Sequence, residues 1–202
     1  DLFLLEYTGG KLHIPTISSA KSVSLIKEAK KKGLQVTCSV AAHHLVLTDD
    51  ELHSFDSNFK TNPPLRTHED IKALQKGIKS GAIDVITSDH NPIDIEHKKV
   101  EFSEAKDGLI GLESAFGVVN SVIDLEDFIS CMTTKPKEIF GIKNYSIQEG
   151  NIADISLFNP KETSIFKKEN ILSTSKNSAF INKKLQGKVY GIFANNQLIV
   201  NF

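Results

Sequence analysis

Apolar positions in the first part of the chain recur with a helical period, then with a strand period, and then repeat this order. Leu2–Gly10 has apolar residues at helical spacing and ends at a glycine pair, as helix carboxyl termini do. The run "KLHIPTIS" at 11–18 predicts a short strand. A second helix is predicted to begin after Ser18 or Ser19 as its N-cap and to end before Gly33.

The next elements repeat this alternation. The β-branched run "LQVTCSV" predicts a strand at 34–40, and Thr67 to Asp70 forms a capping-box-like start to an amphipathic helix. A strand, "AIDVITSD", is predicted at 82–89. Because neighbouring parallel strands need a crossover, usually helical, this order predicts an α/β fold with parallel βα units.

The pattern changes after Glu113. Two helices are predicted, "ESAFGVVNSVI" and "LEDFISCMTTKPKEIFG", the second interrupted near Pro136. Strands joined by polar turns follow, with Asn195-Asn196 as a hairpin signal. We therefore divide the chain into a βα part, residues 1–143, and a small β-rich segment, residues 144–202.

Composition narrows the kind of partner. The 202 residues carry 24 Lys+Arg against 25 Asp+Glu, a balance that gives no electrostatic footprint for nucleic acid or an anionic membrane. A small-molecule ligand is expected instead. Cys38 and Cys131 are predicted to be free buried thiols in a reducing compartment, and no targeting or membrane-spanning pattern is seen, so we expect a cytoplasmic protein. The first residue is Asp1 and the only methionine is Met132, so we expect a piece of a longer polypeptide.

Candidate chemistry lies where predicted strands end. Asp89 and His90 close one strand, His43 and His44 follow another, and Asn62 lies in the intervening loop. Each has a structural alternative: a capping acid, a solvated histidine pair, or an asparagine that sets a turn. Their joint occurrence favours a site, because α/β folds bind ligands at the carboxyl ends of strands and imidazole and carboxylate groups bind catalytic zinc.

The remaining candidates are weaker. His13 is predicted to be a core or surface residue, and His53, His68 and His97 are predicted to be surface residues. The glycines of Gly108–Glu113 suit either a turn or a close approach of backbone amides to a ligand. The chain contains no GxGxxG, Walker or GxSxG motif, which removes the commonest nucleotide and serine-hydrolase interpretations.

Several motifs together resemble a known family. In order, "LHIPTISSAKSVSLIKEAKKKGLQVTCSVAAHHLVLTDDEL", "NFKTNPPLRTHEDIKAL", "GAIDVITSDHNP" and "DGLIGLESAF" are similar to the second half of a dihydroorotase of the amidohydrolase superfamily. The tail is similar to that family's closing β segment. The resemblance implies the second half of a (β/α)8 TIM barrel of the metal-dependent hydrolase type, followed by a small carboxyl-terminal β-rich segment.

The same resemblance implies an activity. The expected reaction is the reversible hydrolysis of dihydroorotate to carbamoyl aspartate in pyrimidine biosynthesis, with Zn2+ polarising the carbonyl and supplying hydroxide at neutral pH. His43 would be a metal ligand, and Asp89 would be both a metal ligand and the general acid/base. Asn62 would hydrogen-bond the substrate ring, and the backbone at Gly108 would help to cradle it.

Two positions depart from the family pattern. Thr16 stands where the family has a histidine ligand, and Ile93 stands where a second histidine would bind the substrate carboxylate. Thr16 and Ile93 favour a catalytically silent homologue that acts as a structural partner, for example of aspartate carbamoyltransferase. Ile93 also suits a hydantoinase-like enzyme whose substrate lacks the carboxylate.

The implied half barrel also predicts a partner. We count four strand candidates before the helical pair, and half a barrel leaves two unpaired edges and an uncovered apolar interior. The amino-terminal half, which would carry the family's HxH zinc motif and substrate-binding arginine, is therefore an expected partner. We expect an incomplete zinc site in this chain by itself, and a homo-oligomer for the whole protein.

Overall fold

The computed structural model describes residues 1–143 and 146–200. Its α-helices and strands are α1 (Leu2–Thr8), β1 (Lys11–Ile14), α2 (Ala20–Lys31), β2 (Gln35–Ala41), α3 (His68–Lys79), β3 (Val85–Thr87), α4 (Ile95–Lys98), α5 (Ala115–Val119), α6 (Leu125–Ile129), α7 (Lys135–Ile139), β4 (Ile155–Ile165), β5 (Lys184–Ala194) and β6 (Gln197–Val200). The predicted boundary after residue 143 adjoins residues 144 and 145, which lie outside the described residues.

The first sheet is parallel, with strand order β1-β2-β3. Ile14 at the end of β1 pairs with Cys38, and Ala41 at the end of β2 pairs with Thr87 at the end of β3. The carboxyl ends of all three strands therefore lie along one edge. The α/β prediction with helices between parallel strands is confirmed for this part of the chain.

The count of four strands is wrong for the described residues, which contain three parallel strands in this sheet. A fourth position is reduced to one isolated parallel bridge between His90 and Leu109. The physical reason is that side chains form hydrogen bonds with backbone groups that would otherwise pair in a β-ladder. Asn177 binds the carbonyl oxygens of Asn91 and Gly108 in this region.

Helices α2 and α3 cover the sheet and begin at the residues that capping chemistry predicts. Ser19 caps α2 by accepting a hydrogen bond from the Ser22 amide, and Thr67 and Asp70 form a complete capping box on α3. Their apolar faces pack in one core with the strands, which includes Ile26, Leu74, Val40, Cys38 and Ile86. Each large aliphatic side chain buried there stabilises the fold by about 1.5–3 kcal/mol.

The helical pair follows as predicted, with one difference at the interruption. Residues Leu125–Ile139 are helical throughout, but Ser130–Thr134 form a π-helical turn between α6 and α7. Pro136 lies two residues after this turn, has no amide hydrogen to donate, and its ring crowds the carbonyl four residues earlier. Widening of the preceding turn therefore accommodates the proline without ending the helix.

The second sheet is antiparallel, with strand order β4-β5-β6. Asn195 and Asn196 join β5 to β6 with φ angles of 52° and 59°, the left-handed pair that a tight type I′ hairpin requires. A second apolar core contains Leu109, Ile110 and Phe180, so the chain after β4 packs against the loops that follow the first sheet. No helix in the described part of the chain is long and apolar enough to cross a membrane.

Candidate active site at the carboxyl edge of the parallel sheet

Polar residues follow the carboxyl ends of the parallel strands, at one edge of the sheet. β2 continues into a 3-10 turn, Ala42–Leu45, that carries His43 and His44, and β3 ends two residues before Asp89. Thr16 follows β1 at the same edge. The backbone therefore brings Thr16, His43, His44 and Asp89 to the same edge of the sheet.

His43 is the most unusual side chain at this edge. Only 1% of it is exposed, and neither ring nitrogen has a hydrogen-bond partner among residues 1–143 and 146–200. Burial holds the pKa of His43 well below its ordinary value of 6.5, and the neighbouring His44 lowers it further. The ring is therefore neutral at pH 7, the state in which imidazole can give a lone pair to a metal.

His44 is equally buried but has a structural partner. Its Nε2 donates to the carbonyl oxygen of Pro63 over 3.0 Å, which fixes the ring against the loop that carries Asn62. The two imidazoles contact each other with ring centroids 4.3 Å apart. A solvated histidine pair, one of the structural alternatives, is therefore ruled out, and only His43 keeps both nitrogens uncommitted.

Asp89 faces His43 from the neighbouring strand. Its Oδ2 lies 3.9 Å from His43 Nε2, too far for a direct hydrogen bond but close enough for both atoms to reach one small ligand. Its Oδ1 accepts a hydrogen bond of 3.1 Å from the side-chain amide of Asn91. One carboxylate oxygen is thus held by the protein, and the other points toward the buried imidazole.

Two residues at this edge have strained backbones. Asp89 has φ 45°, and Thr16 has φ 48° although it is β-branched. The Thr16 amide donates to the hydroxyl of Ser39 over 3.0 Å, and Ser39 is buried in β2. Such conformations cost about 1–3 kcal/mol each and concentrate at functional sites. Their occurrence at two neighbouring strand ends marks the same edge as the histidine and the carboxylate.

The remaining predicted positions differ in their exposure. Asn62 is exposed. Gly108 is buried, and its φ of 115° together with the close side chain of Asn91 leaves no room for a Cβ. Its amide donates to the carbonyl of Lys60 over 2.8 Å, so a backbone contact with a substrate would have to come from residues after Gly108. Ile93 is half-buried beyond Asp89.

His90 binds the glycine-rich stretch. Its Nδ1 accepts hydrogen bonds from the amides of Gly111 and Leu112 at 3.2 and 3.3 Å. Nδ1 therefore carries no proton, and the neutral ring has its hydrogen on Nε2. Gly111 approaches so closely that an added Cβ would collide with the carbonyl oxygen of Ser88.

The other histidines have the structural roles that the sequence indicated. His13 is half-buried in β1, where its Nδ1 shares a hydrogen bond of 2.8 Å with the Thr37 hydroxyl, and burial lowers its pKa. His53, His68 and His97 are exposed. None of these four takes part in the convergence at His43.

Sequence reasoning missed two buried polar residues beside the site. Lys98 is 5% exposed, and its Nζ donates to the carbonyl oxygens of Ser57, Lys106 and Gly108 at 2.7, 2.9 and 2.9 Å. Asn177 is 6% exposed and contacts the loop after Asp89. Lys98 lies in the charged run "EHKKVE" and Asn177 in the polar run "STSKNS", and neither run carries a periodic signal that would predict burial.

The arrangement fits part of a metal site. A neutral buried imidazole, whose unprotonated nitrogen has a free lone pair, faces a carboxylate oxygen, and both are donors that zinc accepts. No group of three His, Cys, Asp or Glu side chains suited to a metal occurs in the described part of the chain. Among the described residues, His43 and Asp89 could therefore supply two ligands to a metal.

Comparison with known proteins identifies the family of this chain. The model of the amidohydrolase family matches residues 4–198. The dihydroorotase of Endomicrobium trichonymphae is 43% identical over 194 residues, which are 93% of this chain and 46% of that protein. The dihydroorotase of Carboxydothermus hydrogenoformans is 42% identical over 194 residues, 93% of this chain and 45% of that protein. The chain spans about half the length of the curated relatives it matches.

Solved structures show the same fold. L-hydantoinase (dihydropyrimidinase) from Arthrobacter aurescens superposes with a TM-score of 0.91 at 24% identity, covering 99% of this chain and 47% of that one. The inactive dihydroorotase-like domain of the Chaetomium thermophilum CAD-like multifunctional protein superposes with a TM-score of 0.74 at 21% identity, covering 98% of this chain and 53% of that one. The family match, which spans nearly the whole chain, shows that this chain belongs to the amidohydrolase family.

Proposed function

We propose that this chain is the second half of the (β/α)8 barrel of a dihydroorotase-type cyclic amidohydrolase. The reaction would be the reversible hydrolysis of the amide bond of dihydroorotate to carbamoyl aspartate, in pyrimidine biosynthesis. The observation that carries the proposal is the placement of neutral His43, which has no hydrogen-bond partner in the described part of the chain, 3.9 Å from the Asp89 carboxylate at the strand ends. Dihydroorotases 37–43% identical to the chain support this substrate.

His43 and Asp89 would hold part of a zinc site. His43 is suited to this role because its burial keeps it neutral, and Asp89 because its Oδ2 faces the imidazole while Asn91 holds Oδ1. A zinc ion bound there would supply Lewis-acid polarisation of the substrate carbonyl and a hydroxide at neutral pH.

Asp89 would move the proton in this reaction. Its Oδ2 faces the site, so it can take a proton from the attacking water and deliver it to the leaving ring nitrogen. The Asn91 amide on Oδ1 holds the carboxylate in one orientation during both transfers. Asn62 would hydrogen-bond the substrate ring, and the backbone after Gly108 would line the other side of the site.

A silent homologue is the second candidate. Thr16 follows β1 where the family has an imidazole, and a neutral hydroxyl is a poor replacement for that ligand. The fold is shared with an inactive dihydroorotase-like domain, which is consistent with this alternative. In that case the chain would serve as a structural partner, with aspartate carbamoyltransferase as the candidate that the resemblance implies.

A hydantoinase-like substrate is the third candidate. Ile93 replaces the residue that would bind the substrate carboxylate, and a cyclic amide without that group would need no such partner. The fold is shared with L-hydantoinase, which is consistent with either substrate.

An amino-terminal half barrel would complete the structure. β1 and β3 each have one unpaired edge among the described residues, and α1 exposes Phe3, Leu4 and Tyr7 by 83%, 61% and 83%. Exposed strand edges and apolar side chains of this kind require covering. The further metal ligands would come from the same half.

The test is a turnover assay on the product of the complete reading frame that contains this chain. We expect hydrolysis of dihydroorotate that falls by at least about 100-fold in Asp89→Asn, because the variant can neither accept the proton nor neutralise a cation. Asp94→Asn is the matched control, because Asp94 is an exposed acid on the same loop, and it should retain wild-type turnover.

The substrates separate the three candidates. Turnover of hydantoin but not of dihydroorotate would favour the hydantoinase-like alternative. A folded wild-type product that turns over neither compound would refute the enzyme and favour the silent homologue.

A further inference from the structure

Asn177 is a buried residue whose side-chain amide and backbone carbonyl are all hydrogen-bonded. It is 6% exposed and lies between the 3-10 turn Lys168–Asn170 and β5. Its Nδ2 donates to the carbonyl oxygens of Asn91 and Gly108 at 2.9 and 3.2 Å. Its Oδ1 accepts from the amide of Ile93 at 3.2 Å, and its own carbonyl accepts from the amide of Ile110 at 2.9 Å.

These bonds join two segments that border the candidate site. We call residues 88–93 the Asp89 loop and residues 108–112 the glycine segment. The two are already in contact, because the Asn91 amide donates to the carbonyl of Leu109 over 2.8 Å and His90 accepts from the glycine segment. Asn177, which lies in a third part of the chain, forms hydrogen bonds to both segments and so fixes the distance between them.

A short chain of contacts leads from Asn177 to the reactive carboxylate. Asn177 holds the backbone of Asn91 and of Ile93, on either side of the turn. The side chain of Asn91 in turn donates to Asp89 Oδ1 over 3.1 Å. The left-handed conformation of Asp89 needs such support, because a strained backbone persists only when its surroundings over-determine it.

We propose that Asn177 is a positioning residue for Asp89, holding the Asp89 loop against the glycine segment from the β-rich part of the chain. This inference rests on the proposed function. It assigns the carboxyl-terminal segment a part in building the site, in addition to its own packing.

The chemistry of the contact argues against a space-filling role. Two carbonyl oxygens and one amide hydrogen face this side chain, and only a carboxamide offers donors and an acceptor from one end. An apolar side chain of the same size would leave these buried groups unpaired. An aspartate would keep the acceptor for Ile93 but would point a negative oxygen at two carbonyls.

Asn120 provides a matched control. It is also a buried asparagine, 8% exposed, and its Nδ2 donates to two backbone carbonyls, those of Pro160 and Gln186, at 2.8 Å each. It joins the end of α5 to the second sheet, and among the described residues its side chain has no hydrogen bond to the Asp89 loop or the glycine segment. Asn120→Asp therefore reproduces the loss of a buried double donor away from the site.

The experiment compares Asn177→Asp, Asn120→Asp and wild type in the product of the complete reading frame. The readouts are unfolding midpoint, steady-state kinetics and amide hydrogen exchange. We expect Asn177→Asp to lower kcat by about 10- to 100-fold with a smaller change in KM, because a small displacement of a catalytic group has effects of this size. Exchange should rise in residues 88–93 and 108–112, whereas Asn120→Asp should leave both kcat and this exchange unchanged.

Asn91→Ala is a second variant that does not risk the fold, because Asn91 is exposed. This variant removes the hydrogen bond from the Asn91 side chain to Asp89 Oδ1. It should also lower kcat without changing the unfolding midpoint. Wild-type kcat and wild-type exchange in Asn177→Asp would overturn the proposal, as would equal losses of kcat in Asn177→Asp and Asn120→Asp. Absence of turnover in the wild type is distinguishable from both, because it refutes the proposed function itself and the positioning role with it.

Discussion

The residues at the carboxyl edge of the first sheet differ in how far the sequence could predict them. His43 and Asp89 follow β-branched runs, and parallel strands bring such positions to one edge, so their convergence was predictable. Lys98 ends the short helix α4 and Asn177 lies in a loop, and both stand in polar runs whose pattern is the same whether a side chain is buried or solvated. Their roles depend on carbonyl groups that only the folded loops bring together.

Lys98 should contribute strongly to stability. Its buried ammonium group donates to three backbone carbonyl oxygens, so Lys98→Met removes three hydrogen bonds from a charged donor, while the Gly108 carbonyl keeps its hydrogen bond from Asn177. We expect the free energy of unfolding to fall by about 1.5–3 kcal/mol, the range for hydrogen bonds to a charged group. Urea unfolding of Lys98→Met and of the exposed control Lys99→Met measures this, and equal stability of the two would contradict it.

Cys38 should make stability depend on alkaline pH. Burial, with the nearby charge of Asp84, raises the pKa of its thiol from 9.0 to about 12. The folded chain therefore keeps a proton that the unfolded chain loses, so stability is full below about pH 9 and falls as pH rises toward about 12, by about 1.4 kcal/mol per pH unit.

Urea unfolding across this pH range, in wild type and Cys38→Ala, checks the prediction. The slope of stability against pH should be shallower in Cys38→Ala. An unchanged slope would show that other groups cause the alkaline loss.

Among the secondary-structure elements, capping residues predicted the starts of α2 and α3 correctly, whereas the end of β3 was not predicted. Ser19 and the Thr67–Asp70 box set the starts of α2 and α3, because local side-chain bonds satisfy the free amides of a first turn. The strand predicted at 82–89 is shortened to Val85–Thr87. Its last residues leave the ladder because Asp89 takes a left-handed conformation that no local pattern signals.

Asp70 joins the first turns of α2 and α3 through hydrogen bonds of its carboxylate. Its Oδ1 accepts from the Ala20 amide of α2 at 2.8 Å, and its Oδ2 accepts from the Thr67 hydroxyl at 2.8 Å. Asp70→Ala should lower the free energy of unfolding by about 1–2 kcal/mol at neutral pH, as for the loss of a helix cap. Glu69→Ala, which removes a neighbouring exposed acid, is the control.

The effect of Asp70 should also depend on acid pH. Partial burial would raise its pKa, but hydrogen bonds from Ala20 and Thr67 outweigh this and hold the pKa below its ordinary value of 3.8. The stabilisation is therefore complete above that value and is lost as pH falls through the lower folded pKa. The difference between wild type and Asp70→Ala should shrink in unfolding experiments at low pH, and a constant difference would contradict the assignment.

In the whole molecule, the first sheet and α1 share uncovered strand edges and apolar side chains. Both outer edges of the parallel sheet lack a strand partner among the described residues, and α1 presents apolar side chains to solvent. The parallel arrangement was predictable from the order of elements. The single bridge at the fourth position was not, because side-chain hydrogen bonds from Asn177 replace the ladder there.

The chain expressed alone should therefore self-associate. We expect concentration-dependent assembly in light scattering and binding of a hydrophobic dye, because open strand edges and apolar patches promote both. The product of the complete reading frame should show a single discrete assembly and little dye binding. A strictly monomeric isolated chain with no dye binding would contradict the half-barrel proposal.

The central claim is that His43 and Asp89 form part of a metal-binding site that groups outside this chain complete. Metal content after dialysis, measured for the product of the complete reading frame in wild type, His43→Ala and His53→Ala, tests this most directly. We predict stoichiometric zinc in wild type and in His53→Ala, whose exposed imidazole lies away from the site, and loss of the metal in His43→Ala. Full zinc content in His43→Ala, or a folded wild-type product that binds no metal, would contradict the claim.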